Sequence, residues 1–150
     1  MRAVIQRVKY ARVKVNQNLK ASVNEGLLIL LGVEHEDTVE DAHWLAGKIA
    51  SLRIFDDKQG VMNLDVRQAG GGIMVISQFT LHAKTKKGNR PSYIRAAPPV
   101  KAIPLYKSFT EKIAAATEKE VRTGDFGAEM DVELLNSGPV TIIIDTKNRE

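Results

Sequence analysis

Ser77, Gln78 and Thr80 set three polar side chains where the apolar run Ile73-Met74-Val75-Ile76 ends. Hydroxyl and amide groups can bind and orient a substrate, and a threonine hydroxyl becomes a nucleophile when a base stands beside it. Polar groups are costly to bury without partners. The segment Ser77-Gln78-Phe79-Thr80-Leu81 is therefore either hydrogen-bonded within the fold or held at the rim of a cleft, and spacing alone leaves both readings open. Directly after it come Lys84, Lys86, Lys87 and Arg90, gathered around Gly88 and followed by Pro91. Glycine and proline make this a loop. A solvated loop and a phosphate-facing loop look alike at this level, but its charges must lie close to whatever the polar segment touches.

Other chemistries find little support. His35, His43 and His82 form no H-x-x-x-H or H-E-x-x-H set, so no metal site is expected. There is no G-x-S-x-G elbow, Walker loop or Rossmann glycine pattern. Gly70-Gly71-Gly72 precedes a strand, so it offers no helix N-terminus to a phosphate. Ser77 and His82 differ in parity, which puts them on opposite faces if the strand continues.

The bulk numbers set the frame. A chain of 150 residues is expected to form one domain, residues 1–150, with a real core. The absence of cysteine excludes disulfides and thiolate metal sites and fits a reducing compartment. No apolar stretch approaches the roughly 20 residues needed to cross a bilayer, and the N-terminus lacks a signal-peptide core. A net charge of +4 is a mild bias toward polyanionic partners.

Patterning supplies the elements. Residues 2–15 are rich in Val and Ile but alternate poorly, which predicts one long bent strand or two short ones. Asn16-Gln17-Asn18 signals a turn, with Ala21–Val23 returning. Leu27–Leu31 is apolar on both faces and reads as a central, doubly covered strand. Thr38 and Asp41 resemble a capping box for a helix ending near Ser51. Arg53–Phe55 and the alternating Met62, Leu64 and Val66 read as short strands. A second helix carries the stripe Leu105, Phe109, Ile113 and Ala116, with Pro104 expected in its first turn. Thr123–Gly127 reads as a loop, residues around Met130–Leu134 as a strand, and Val140–Ile144 as the last strand. Between those two strands Gly138-Pro139 reads, from spacing, as a trans turn. The sum is a β-rich α/β chain with two main helices.

The residues themselves carry more than their spacing. Met1–Val8, Ser77-Gln78-Phe79-Thr80-Leu81, the N-x-G-P-V-T set of Asn136 and Gly138–Thr141, Lys87-Gly88 with Arg90-Pro91-Ser92, and Thr123–Ala128 with Met130 resemble the D-aminoacyl-tRNA deacylase family (the D-Tyr-tRNA deacylases) from end to end. Departures are small. Ser137 stands where an acidic residue is common, Asn89 where a basic one is common, and Tyr93 where Phe is common; the last two bear on RNA contacts.

The resemblance implies a homodimeric, barrel-like β fold and an esterase. Such an enzyme frees a D-amino acid, or glycine from glycyl-tRNA(Ala), from the terminal ribose of tRNA, in the cytoplasm and without a cofactor or membrane. It implies a cis Gly138–Pro139 bond, in place of the trans reading, reaching into a partner's pocket to screen handedness. It assigns backbone N–H groups of Phe79 and Thr80 to the carbonyl oxygen, positioning to Thr80, support to Ser77 and Gln78, and the chemistry to the RNA's own 2′-hydroxyl. Lys84, Lys86, Lys87 and Arg90 would meet phosphates; Phe126 and Met130 would line the adenosine side. The alternatives are a non-catalytic RNA-binding β-rich module and a purely structural β protein.

Overall fold

The structure is a computed structural model that describes residues 1–150. Its spine is β1 (Arg2–Val15), which pairs on both edges. Residues 11–15 pair with β2 (Asn18–Val23) through a tight turn in which Asn16 and Gln17 take φ of +50° and +66°. Left-handed values at both central positions match the twist of a two-residue hairpin. Residues 2–8 pair antiparallel with β3 (Gly26–Gly32). The poor alternation of β1 has a cause: the ladder to β8 (Met130–Asp145) slips on either side of Val8. Each slip resets which face is buried, so Ala3 and Ile5 share one core and Val8, Ala11 and Val13 another.

Beside β3 runs β6 (Gly72–Ser77), parallel to it, followed by a short β7 (Val121–Thr123) parallel to β6. The sheet order is β2-β1-β3-β6-β7, with β8 on β1, a nearly closed barrel-like surface. β3 is covered on both faces: Leu27, Ile29 and Leu31 face the main core and Leu28 the smaller one. β6 divides likewise, Ile73 and Val75 against Met74 and Ile76. A Cβ on Gly26 would lie 2.0 Å from the Gly72 oxygen, so only glycine lets these two strands start side by side.

The main core is roofed by α1 (Val39–Ala50) and α2 (Pro99–Thr117). Thr38 and Asp41 form the expected capping box, and Ser51 ends α1. Val39, at the start of the stripe, is exposed. Pro104 sits inside α2 rather than in its first turn. It forgoes a bond to the carbonyl four residues back, yet Leu105, Phe109 and Ile113 are buried and hold the helix through it. Tyr106 Oη donates to the Val75 carbonyl at 2.7 Å, tying α2 to β6, and burial pushes its pKa up.

The small elements differ from the sequence reading. The first short strand, β4, is Phe55–Asp56, not 53–55, because Ile54 turns its carbonyl toward Arg7. Its partner β5 spans Met62–Leu64, and Val66 is fully buried in the following turn. No helix is long and apolar enough to cross a membrane.

Asp41 is also a pH sensor of stability. Burial opposes its ionisation, but bonds from Lys147, the Thr38 backbone and Thr146 prevail and hold its carboxyl well below the usual range. A depressed folded pKa gives stability that is present above the unfolded value, about 3.9, and lost as pH falls through the folded one. The melting temperature should therefore drop on acidification below about pH 4, and Lys147→Met should flatten that drop; a melting series showing equal acid slopes would remove Asp41 from the account.

Candidate active site

The strand β6 stops at Ser77, and the chain turns at once. Gln78 is tethered by its N–H to the Leu31 carbonyl at 2.8 Å, and Phe79–His82 coil into a 3₁₀ turn. The sequence reading related Ser77 to His82 on the condition that the strand continues. That fails because Gly32 on β3 has no Cβ: one placed there would press to 3.0 Å on both the Gln78 oxygen and the His82 ring. The gap lets the turn fold down on β3 and buries His82 at 1% exposure. Parity therefore no longer relates Ser77 to His82. Gln78 Nε2 donates to Thr80 Oγ1, and Arg2 holds the turn's far side by donating to the Leu81 carbonyl at 2.7 Å.

The turn borders a cavity of about 500 Å³, a size that suits a small-molecule moiety. Ser77, Gln78, Phe79, Phe126 and Met130 all line it, so two stretches of chain singled out in the sequence meet at one site. Thr80 does not line it, and neither does His82. Phe79 and Thr80 open the turn, where the first N–H groups of a helix have no carbonyl of their own to bind. Phe79 lines the cavity and Thr80 follows it just outside the lining. Tyr93, Ala96, Ala97, Leu31, Val33 and Val132 are among the other wall residues. Sequence reasoning noted Tyr93 only as a departure and missed the rest, since an alanine or a core leucine gives no chemical signal. Met130 is fixed from behind, because Gly124 leaves room for its sulfur.

The basic loop leaves this rim. Lys84 and Ser92 exchange backbone bonds of 2.8 and 3.0 Å, closing the loop at its base. Gly88 takes φ of +72° at its tip. Lys84, Lys86, Lys87 and Arg90 are all exposed, and none pairs with an acidic side chain.

Gly138 and Pro139 lie elsewhere. They do not line the cavity of their own chain. The peptide bond between them is cis, correcting the trans turn read from spacing. Nor do they separate two strands: β8 runs continuously from Met130 to Asp145. The ladder pairs Gln6 with Thr141 and Val8 with Asn136, so Ser137–Val140 face Arg7 alone and bulge outward. Asn136 Nδ2 clips the bulge shut, donating to Val140 and Arg7 carbonyls at 2.9 and 3.2 Å. Arg7 Nε donates to the Ser137 carbonyl at 3.2 Å, and its Nη1 reaches Ile54 at 2.7 Å and Asp56 at 3.3 Å. Gly138 takes φ of +123°, a region essentially reserved for glycine. Arg7 was missed in the sequence because a lone cation in a strand has no signature.

Known proteins resemble this chain along its length. Residues 4–145 match the family model described as D-Tyr-tRNA(Tyr) deacylase. A D-aminoacyl-tRNA deacylase of Parabacteroides distasonis is 59% identical over 150 residues, the whole of both chains. One from Flavobacterium psychrophilum is 56% identical over the same span. Among solved structures, a c-Myc DNA unwinding element binding protein superposes with a TM-score of 0.91 at 36% identity, covering 97% of this chain and 98% of that one. A probable eukaryotic D-amino acid tRNA deacylase, at 15% identity and a TM-score of 0.81 over 95% and 97% of the two chains, shares the fold. By full-length identity and by the family match, this chain belongs to the D-Tyr-tRNA(Tyr) deacylase family.

Proposed function

We propose that this chain hydrolyses the ester between a D-amino acid and the terminal ribose of tRNA, and that it also clears glycine from glycyl-tRNA(Ala). The observation that carries the reading is the turn at Phe79–His82, which opens on a cavity-lining residue and leads into a basic loop without acidic partners. The ester carbonyl sits at the N–H groups of Phe79 and Thr80. Water adds to it, the oxyanion is held by those donors, and the ribose oxygen leaves with a proton. Donors aimed at developing charge account for large rate effects. Thr80 positions Gln78 through their shared hydrogen bond, and Ser77 and Gln78 shape the rim. Phe126 and Met130 cover the adenosine. The proton is handled by the 2′-hydroxyl of the RNA, because the cavity wall holds no histidine, carboxylate or lysine.

Handedness is screened by Gly138 and Pro139 of a second copy. The bulge is exposed and outside its own cavity, while Leu135 and Ile143 on the same strand expose apolar side chains suited to burial between copies. Backbone carbonyls brought close to the α-carbon tolerate hydrogen and exclude an L side chain. A thousandfold rejection needs about 4 kcal/mol. Glycine has nothing to clash and enters. We place the activity in the cytoplasm, where no disulfide chemistry is called for.

The test is deacylation of matched D- and L-aminoacyl-tRNAs. Release of the D-amino acid alone supports the reading; no release with retained tRNA binding leaves an RNA-binding module. If Lys84, Lys86, Lys87 and Arg90 all meet phosphates, log affinity should fall against log salt with a slope near −3 by the single-strand coefficient. Each neutralised cation should remove about 0.7 from that slope and leave the D/L preference unchanged.

A further inference from the structure

Two aromatic rings at the mouth of the cavity have no partner that explains them. Phe79 is 56% exposed and Tyr93 39%, and both line the cavity. They meet edge to face, with centroids 5.0 Å apart and planes at 76°. Such a pair is favourable in itself, and it holds the rings upright. An edge-to-face contact covers at most one ring face, so flat apolar surface is left turned to solvent. Tyr93 follows Ser92, the residue that closes the base of the basic loop. Tyr93 thus stands where the cavity wall meets the base of the loop that carries Lys84, Lys86, Lys87 and Arg90.

We propose that Tyr93, braced by Phe79, is a stacking platform for the nucleobase that precedes the terminal adenosine. The inference rests on the proposed tRNA reading and adds a contact to it. With the terminal ribose ester at the Phe79 and Thr80 donors, the strand must leave toward the cations, and that path crosses Tyr93. A flat ring flanked by cations is the arrangement that binds single-stranded nucleic acid, the backbone held by charge and the base by its face. Every base has such a face, so the platform adds affinity without choosing a sequence. Stacking needs the ring and not the hydroxyl, so tyrosine and phenylalanine serve alike.

The experiment compares wild type, Tyr93→Phe and Tyr93→Ala on D-aminoacyl-tRNA whose penultimate nucleotide is either intact or abasic. On intact RNA, Tyr93→Ala should lose about tenfold in kcat/KM, through KM, while Tyr93→Phe holds the wild-type value. The abasic RNA should show the same loss with wild type, and Tyr93→Ala should remove nothing more from it. Equal losses on both RNAs, or a loss confined to kcat, overturn the platform. Equilibrium binding of the uncharged RNAs, intact and abasic, is measured in parallel. If no D-aminoacyl-tRNA is hydrolysed, the esterase reading fails, and the binding arm still decides the platform by the same intact-versus-abasic difference.

Discussion

Deacylation of a D-aminoacyl-tRNA ending in 2′-deoxyadenosine is expected to run about 10²–10⁴-fold slower than with the natural terminus. The walls of the cavity carry no histidine, carboxylate, lysine or arginine. Thr80 hydroxyl accepts from Gln78 and stands outside the lining. His82, the ionisable side chain nearest to it in the chain, is buried at 1% exposure and also outside the lining. A positioned proton donor or acceptor contributes about 10²–10⁴-fold, and on the proposed mechanism the ribose supplies it. Thr80→Val keeps the shape of the side chain and should cost far less. Single-turnover assays with both changes read the two roles apart. Full activity on the deoxy terminus, with collapse in Thr80→Val, would make Thr80 the nucleophile and end the RNA-assisted mechanism.

Gly138→Ala should lower the ratio of D to L kcat/KM by about a hundredfold. At φ of +123° an L residue is strained by about 1–3 kcal/mol. Its Cβ would also lie 2.8 Å from Arg7 Nη2 and 3.0 Å from Val140 Cγ2. Arg7 is held at both ends and Val140 is clipped by Asn136, so the bulge itself must give. A displacement near 1 Å at a positioning group is worth about a hundredfold. The D rate should fall as well, with a modest drop in melting temperature because residues 138–139 are exposed and outside the core. An unchanged D/L ratio in a folded Gly138→Ala protein would release these residues from any part in selectivity.

Local chemistry was legible where one short window held it. Leu27–Leu31 announced a strand covered twice, and Thr38 with Asp41 a helix start, because both signals depend on neighbours in sequence. The two site motifs stood out by residue type. What escaped was decided across the fold. The turn after Ser77 exists because a glycine 45 positions earlier, Gly32, leaves room for it. The cis bond at Pro139 was implied by the resemblance and not by spacing, and the bulge around it is held partly by Arg7, which does not mark itself in a single sequence. β7 is three residues long and carries no period, so only its pairing with β6 reveals it. Pro104 broke a local rule that the buried face of α2 overrode.

Arg7 joins two regions far apart in the chain. One guanidinium holds the Ser137 carbonyl and also the Ile54 carbonyl and Asp56, at the edge of the β4–β5 hairpin. None of that hairpin's residues lines the cavity. Its fit against the sheet nevertheless sets where the arginine stands, and so where the bulge points. On the proposed reading, sequence drift in this peripheral ribbon should thus surface as lost fidelity out of proportion to lost turnover, a failure that a simple activity screen would pass over.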